Sequence, residues 1–292
     1  MSTRGLASDL PIGEQVAESF DDAPEPLRSK LRIITKHLHA MIDELNPTIE
    51  DWNAAIEFLT RTGHMCNDVR QEFVLLSDVF GVSSKVETIN HSDIEAATES
   101  TVLGPFHMTA SPARELGDSI DELGKPDHVL VRGRVVSTTG EPVPRAQVDI
   151  WQADESGFYD VQVPDIQPAG NGRGLFRTDD AGRFWFRTVI PSHYPIPTDG
   201  PVGEMLLATG RHPYRPAHIH FIADADGYET LTTHIFVAGS PYLDSDAVFA
   251  VKPSLIRSFD DCDDPSEAER YGLQNPFKVA EFDLVLAPQN DD

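Results

Sequence analysis

The chain has 292 residues, 40% of them hydrophobic, enough for a substantial core, which excludes wholesale disorder. Its 48 acidic residues outnumber 23 basic ones, giving a formal net charge of -25 that repels nucleic acid and anionic lipid surfaces and disfavours an anionic substrate. No apolar run is long enough for a membrane span, the N-terminal stretch lacks a signal core, and Cys66 and Cys262 sit in no paired motif, so a cytoplasmic protein is expected.

The first hundred residues read as helices. Leu27, Leu31, Ile34, Leu38, Met41 and Leu45 recur at steps of four and three, bracketed by Pro24 and Pro26 before and Asn46-Pro47 after. Such a stripe suits a helix packed within its own domain or one that pairs across a dimer. A second helix is predicted from Thr48, whose hydroxyl can cap the turn with Asp51. Trp52, Ala55, Ile56 and Leu59 line one face, and Gly63 closes it. A third is predicted over residues 68–80, with Val69, Phe73, Leu76 and Phe80 on one side and Gly81 as the stop. A short fourth is expected at 94–100.

From about residue 128 the hydrophobic period falls to two. Segments 128–136, 146–151, 176–178, 183–187, 218–223, 230–238 and 280–286 read as strands. Asp179-Asp180-Ala181-Gly182 has the composition of a hairpin turn. Many short strands with Gly and Pro turns predict an antiparallel β-sandwich, so the fold class is α+β: helical residues 1–105, then a sandwich over 106–292. The long loop at 191–216 is expected to be functional or mobile.

The densest chemistry is Arg215-Pro216-Ala217-His218-Ile219-His220-Phe221. On a strand, His218 and His220 point to one face, which offers two imidazoles to a small volume. A pair of imidazoles alone names no metal. Tyr159, in Trp151-Gln152-Ala153-Asp154-Glu155-Ser156-Gly157-Phe158-Tyr159, and Tyr194, in the Pro-pinned Pro191-Ser192-His193-Tyr194-Pro195-Ile196-Pro197, narrow the choice. A phenol yields its proton near neutral pH only to a highly charged cation, so two phenolates with two imidazoles suit Fe(III). Taken singly, each tyrosine reads as a core or loop residue. His193 and His212 lie close enough in sequence that spacing alone does not remove them as ligands.

In their order and spacing, Trp151-Gln152-Ala153-Asp154 with Gly157-Phe158-Tyr159, the Pro-x-x-Tyr-Pro-Ile-Pro block and Arg-Pro-Ala-His-Ile-His resemble the intradiol ring-cleaving catechol dioxygenases. The resemblance runs over residues 50–286. It implies one non-haem Fe(III) per chain, held by Tyr159, Tyr194, His218 and His220, in a sandwich domain preceded by an all-helical domain that makes a homodimer. It also allows a lipid bound at the dimer interface.

Within the family, Glu99-Ser100-Thr101-Val102-Leu103-Gly104-Pro105-Phe106-His107 and Leu75-Leu76-Ser77-Asp78 resemble the branch acting on hydroxyquinol (benzene-1,2,4-triol). The implied reaction is ring opening with O2 to 3-hydroxy-cis,cis-muconate or maleylacetate. Catechol and chlorocatechol are the alternative substrates.

By position, Leu75, Asp78, Val102, Leu103, Gly104 and Pro105 would line the substrate pocket, together with Phe106, His107, Ile196, Pro197, Val248 and Arg215. Arg215, Tyr194 and His234 are the candidate catalytic residues. Arg215 would hold positive charge where negative charge develops, Tyr194 would accept a substrate proton, and His234 would donate a hydrogen bond or serve as a plain strand histidine. Two other classes compete: a zinc hydrolase built on His218, His220 and His234, and a sandwich binding module without catalysis.

Overall fold

A computed structural model describes residues 10–68, 70–91, 96–107, 110–124 and 128–289, apart from the side chain of residue 91. Internal packing divides the chain into two compact units, Met1–Thr60 and Arg61–Asp292.

The first unit holds α1 (Ile12–Glu18), α2 (Leu27–Leu45) and most of α3 (Ile49–His64). Helix α2 starts directly after Pro26 and stops at Asn46, whose φ of 46° is left-handed and leaves the chain free to enter Pro47. Thr48 and Asp51 form the predicted capping box in both directions: Asp51 N–H donates to the Thr48 hydroxyl (3.1 Å) and Thr48 N–H to the Asp51 carboxylate (2.9 Å). The predicted apolar stripe is present, but Leu27, Ile34, Leu38, Met41 and Leu45 are all exposed in the single chain, as are Trp52, Ile56 and Leu59 of α3.

The second unit opens with α4 (Glu72–Val79) and α5 (Val82–His91). Gly81, at φ 70°, ends the former and lets the chain turn at once into the latter, which the sequence pattern did not announce. Val69 and residues 92–95 lie outside the described residues. Residues 96–100, expected to be helical, instead run beside strands: Thr98 N–H donates to Val285 O (3.0 Å), and Thr101, three residues on, to Thr232 O (2.9 Å).

The strands follow in order: β1 (Val129–Ser137), β2 (Gln147–Gln152), β3 (Arg173–Arg177), β4 (Arg183–Thr188) and β5 (Tyr194–Pro195). After α6 (Pro201–Ala208) come β6 (Tyr214–Arg215), β7 (His218–Asp224), β8 (Leu231–Val237), β9 (Ile256–Arg257) and β10 (Asp260–Cys262). Helix α7 (Pro265–Tyr271) precedes β11 (Phe277–Glu281) and β12 (Leu284–Leu286). One sheet has the order β10-β11-β1-β12 with β4 also on β1, the other β3-β2-β7-β8-β9, and β5-β6 form a separate ribbon. Phe184 and Phe186 of the first sheet meet Phe221 and Phe176 of the second at ring separations of 5.6–6.4 Å, which locates the core between them.

Three further expectations change. The sandwich is mixed: β1 pairs in parallel with β11 and β12, and β8 with β9. These pairings join segments far apart in sequence, which local alternation does not register. The turn at Asp179–Gly182 is tight, with Gly182 at φ 72°, yet β3 and β4 belong to opposite sheets. It arches across the sandwich and closes no ladder. Residues 191–216 contain a helix, α6, started by Pro201 and buried through Val202 and Leu206, flanked by the β5-β6 ribbon.

Candidate metal centre

Strand alternation places the site. On β7, Ile219 and Phe221 point into the core, and His218 and His220 to the outer face of their sheet. Trp151, His220 and His234 stand side by side in register across β2, β7 and β8. The Trp151 ring stacks on His220 at 4.4 Å, with His107 against Trp151 at the same separation. The Asp149 carboxylate then accepts a hydrogen bond from His107 Nε2 at 3.0 Å.

His218 Nδ1 donates to Pro216 O at 2.7 Å, which fixes the tautomer and turns the Nε2 lone pair inward. That Nε2 lies 3.1 Å from His220 Nε2, and the Tyr159 hydroxyl is 3.4 and 3.2 Å from the two. Separations near 3 Å are those of ligands each held about 2.0–2.1 Å from one shared cation. The Tyr194 ring meets that of Tyr159 edge-on at 5.3 Å and that of His218 at 5.6 Å. All four residues are buried.

Each tyrosine is held by its own local device. Tyr159 ends a loop knotted by Asp154, whose carboxylate accepts from the backbone N–H of Ser156 (2.9 Å) and Phe158 (3.0 Å). Gly157 has φ 85°, and a Cβ there would come within 2.9 Å of His193 O, so a glycine lets this loop pack against the Tyr194 strand. Just beyond Tyr159, Asp160 forms a buried ion pair with Arg173 (2.7 Å), and Arg173 also donates to Phe106 O (2.9 Å). Phe106 in turn stacks on Tyr159 at 4.6 Å. Tyr194 sits on β5 directly opposite Arg215 on β6.

Burial sets the electrostatics. It pushes the pKa values of His218, His220 and His234 well below that of an ordinary imidazole, with further lowering by Arg215 at His218 and by neighbouring imidazoles at His220. It raises both tyrosine pKa values, against the pull of Arg215. The protein alone therefore presents neutral imidazoles and phenols that ionise only against a strong positive charge. That donor set fits a hard, highly charged cation. His218, His220 and His234 can bring one ligand atom each within 4.8 Å of one another, so the centre offers a third imidazole beside the two tyrosines. His234 Nδ1 bonds the Thr101 hydroxyl, while its buried Nε2 has no hydrogen-bond partner.

A cavity of about 370 Å³ is lined by Asp78, Val102, Leu103, Gly104, Pro105 and His107, among others. Gly104 joins it to the centre: a Cβ there would lie 3.2 Å from His220 Cε1. Leu75, Phe106, Ile196, Val248 and Arg215 are buried and Pro197 half-buried, outside that lining. Asp78 is buried with Oδ1 unpartnered, and burial lifts its pKa to about 6, with the Ser83 hydroxyl and Arg215 pulling the other way.

His193 and His212 belong elsewhere, in an aromatic group with Tyr214 and Tyr242. Nothing in the sequence pattern singles out Asp246 or Arg173, and Thr101 lies within the Glu99–His107 stretch without a role of its own there. Asp160, beside Tyr159, was the one with a positional hint.

Neutral donors converging at a buried centre, beside a cavity of about 370 Å³, suit an enzyme that handles a small molecule. Residues 104–288 match the family model described as "Dioxygenase" and residues 27–98 that described as "Catechol dioxygenase N terminus". The chain belongs to the intradiol ring-cleavage dioxygenases, which act on aromatic diols or triols with O2. It is 48% identical over 276 residues to a hydroxyquinol 1,2-dioxygenase of Rhizobium sp. strain MTP-10005, covering 94% of each chain. It is 50% identical over 223 residues to a 6-chlorohydroxyquinol 1,2-dioxygenase of Cupriavidus pinatubonensis, covering 76% of this chain and 80% of the relative. The solved structure of hydroxyquinol 1,2-dioxygenase from Pseudomonas putida DLL-E4 superposes with a TM-score of 0.85 at 44% identity, covering 95% of this chain and 98% of that one.

Proposed function

We propose that this enzyme opens the ring of hydroxyquinol between its adjacent hydroxyls, using O2 and an Fe(III) held by Tyr159, Tyr194, His218 and His220. The observation that carries the reading is the convergence of these donors beneath a cavity that also contains a buried carboxylate with a free oxygen, Asp78. Bound iron would supply a Lewis acid that draws electron density from a chelated diol and makes its ring carbon reactive towards O2.

The protein's part follows from its geometry. His218 and His220, kept neutral by burial, would hold the metal without needing to lose protons. Tyr159, knotted into its loop and covered by Phe106, would be the fixed phenolate. Tyr194, opposite Arg215 on the β5-β6 ribbon, would accept a substrate proton on its oxygen. Arg215 keeps its charge: burial opposes it, but the Asp246 carboxylate holds its pKa above the ordinary arginine value. Its guanidinium would stabilise negative charge on the substrate oxygens. His234 Nε2 is free to donate a hydrogen bond in the same space. Asp78 would accept one from the third hydroxyl, and a pocket built for that hydroxyl rejects a ring without it because a buried polar group is left unpaired.

Catechol and chlorocatechol are the second reading, since they need the same iron site and differ only at the pocket wall. The three-histidine zinc hydrolase gives way to family membership. The exposed stripe on α2 supports a homodimer through the N-terminal helices, in which a second copy would cover that face; nothing among the described residues points to the expected lipid. Two free, unpaired thiols support a cytoplasmic setting, and no described helix is long and apolar enough to cross a membrane. We place the working boundary between helical and catalytic domains near residue 105.

Oxygen uptake and product spectra with hydroxyquinol and catechol, on iron-loaded protein, test the reading. A strong preference for hydroxyquinol is expected, and Asp78→Ala should shift preference towards catechol. Faster catechol turnover by the wild type would overturn the substrate assignment, and no uptake with either would sink the iron site.

A further inference from the structure

Arg215 is a buried cation whose direction matters, because a guanidinium stabilises charge only where its N–H groups point. Its Nε lies 3.2 Å from Asp246 Oδ1 and its Nη2 3.5 Å from Oδ2. This is a two-pronged match of planar fork to carboxylate, and it fixes the plane as well as the position of the group. Asp246 is itself held, since its two oxygens accept from the backbone N–H of Val248 (3.3 Å) and Ala250 (3.1 Å). The remaining Nη1 faces the centre, 3.3 Å from His218 Nε2. The loop carrying Asp246 also holds Tyr242 and Phe249 at φ 68° and 56°, conformations that its surroundings must impose.

We propose that Asp246 is a positioning residue: it engages Nε and Nη2 of Arg215 and so leaves Nη1 as the donor presented to the substrate. The proposal rests on the iron-dependent ring cleavage above and adds a residue to it. Without Asp246, a long buried cation seeks another acceptor, and Asp78, which already feels the Arg215 charge, is a candidate. Nη1 would then no longer face the reacting ring.

The test is a double-mutant cycle on the full-length, iron-loaded enzyme. Asp246→Asn keeps the shape and an acceptor for the backbone but loses the charge. It should retain wild-type iron content, visible absorption and affinity for a non-reacting monophenol, while kcat falls by about tenfold or more and KM changes little. In an Arg215→Met background the same substitution should lower the residual kcat by less than about twofold, because the residue it positions is gone. Equal losses in both backgrounds, a loss matched by falling iron content, or no loss at all would overturn the proposal. Should the Asn variant fail to fold, Asp246→Glu carries the same cycle with the same expectations. Wild-type protein that consumes no oxygen with any diol sinks both readings; an active wild type with an additive cycle sinks only this one.

Discussion

His218 Nε2 and His220 Nε2 lie 3.1 Å apart, with their rings crossed at 71°. Two imidazole nitrogens held so close can share one cation, and burial keeps both rings out of the charged, doubly protonated form that would compete with it. The folded protein should therefore be stabilised by its metal, by about 4 kcal/mol when the free metal is a thousandfold above Kd. Chelation is expected to lower Tm of the wild type, and His218→Ala or His220→Ala should remove that dependence. Thermal unfolding with and without chelator checks it, and a wild-type Tm indifferent to chelation would contradict the donor assignment.

Gly104 ties the cavity loop to this centre. It sits at φ 77°, and an added methyl would press to 3.2 Å on His220 Cε1. Gly104→Ala should cost about 1–2 kcal/mol of stability from backbone strain. It should also lower kcat/KM severalfold by crowding the imidazole and narrowing the cavity floor. Urea unfolding and steady-state oxygen uptake separate the two effects, and a variant of unchanged kcat/KM would show that His220 has room to yield.

The centre was more legible than the fold around it. His218 and His220 follow from strand period alone, because alternation forces both onto one face whatever the sheet pairs with. Tyr159 and Tyr194 became readable only through their motifs, since a tyrosine after a strand carries no periodic signal. Long-range pairing was not legible: β1 takes parallel partners from residues 278–286, and nothing local in Val129–Ser137 names them. Helix α6 was hidden because Pro195, Pro197 and Pro201 read as loop, although proline at the first helical position is favourable. Asp246 and Arg173 were invisible for a different reason. In a chain with 48 acids and 23 bases, sequence cannot tell which Asp–Arg pairs are buried.

Arg173 illustrates what such a pair holds. It is almost fully buried, and its ion pair with Asp160 and its bond to Phe106 O brace the two sides of Tyr159. Arg173→Met leaves the Asp160 carboxylate buried without its cation, with the Gly170 N–H (2.8 Å) still bonded to it, which should cost about 3–5 kcal/mol. Adding Asp160→Asn should recover a good part of that loss, because the unpaired charge is then gone. Denaturant midpoints of the single and double variants decide it: a double variant no more stable than Arg173→Met would mean packing, not charge, is what Arg173 supplies.

Asp78 gives a pH dependence opposite to that of most carboxylates. Burial lifts its pKa from the ordinary 3.8 to about 6 in the folded protein. Between these values the folded state holds a proton that the unfolded chain has released. The contribution of Asp78 is therefore most favourable at low pH and is lost as pH rises from about 4 to about 6, by an amount of about 3 kcal/mol. Asp78→Asn, which cannot ionise, should be more stable than the wild type at pH 7 and approach it near pH 4. Chemical denaturation of both proteins across that interval measures the difference, and a gap that does not change with pH would place the Asp78 carboxylate in contact with water or with a partner that satisfies its charge.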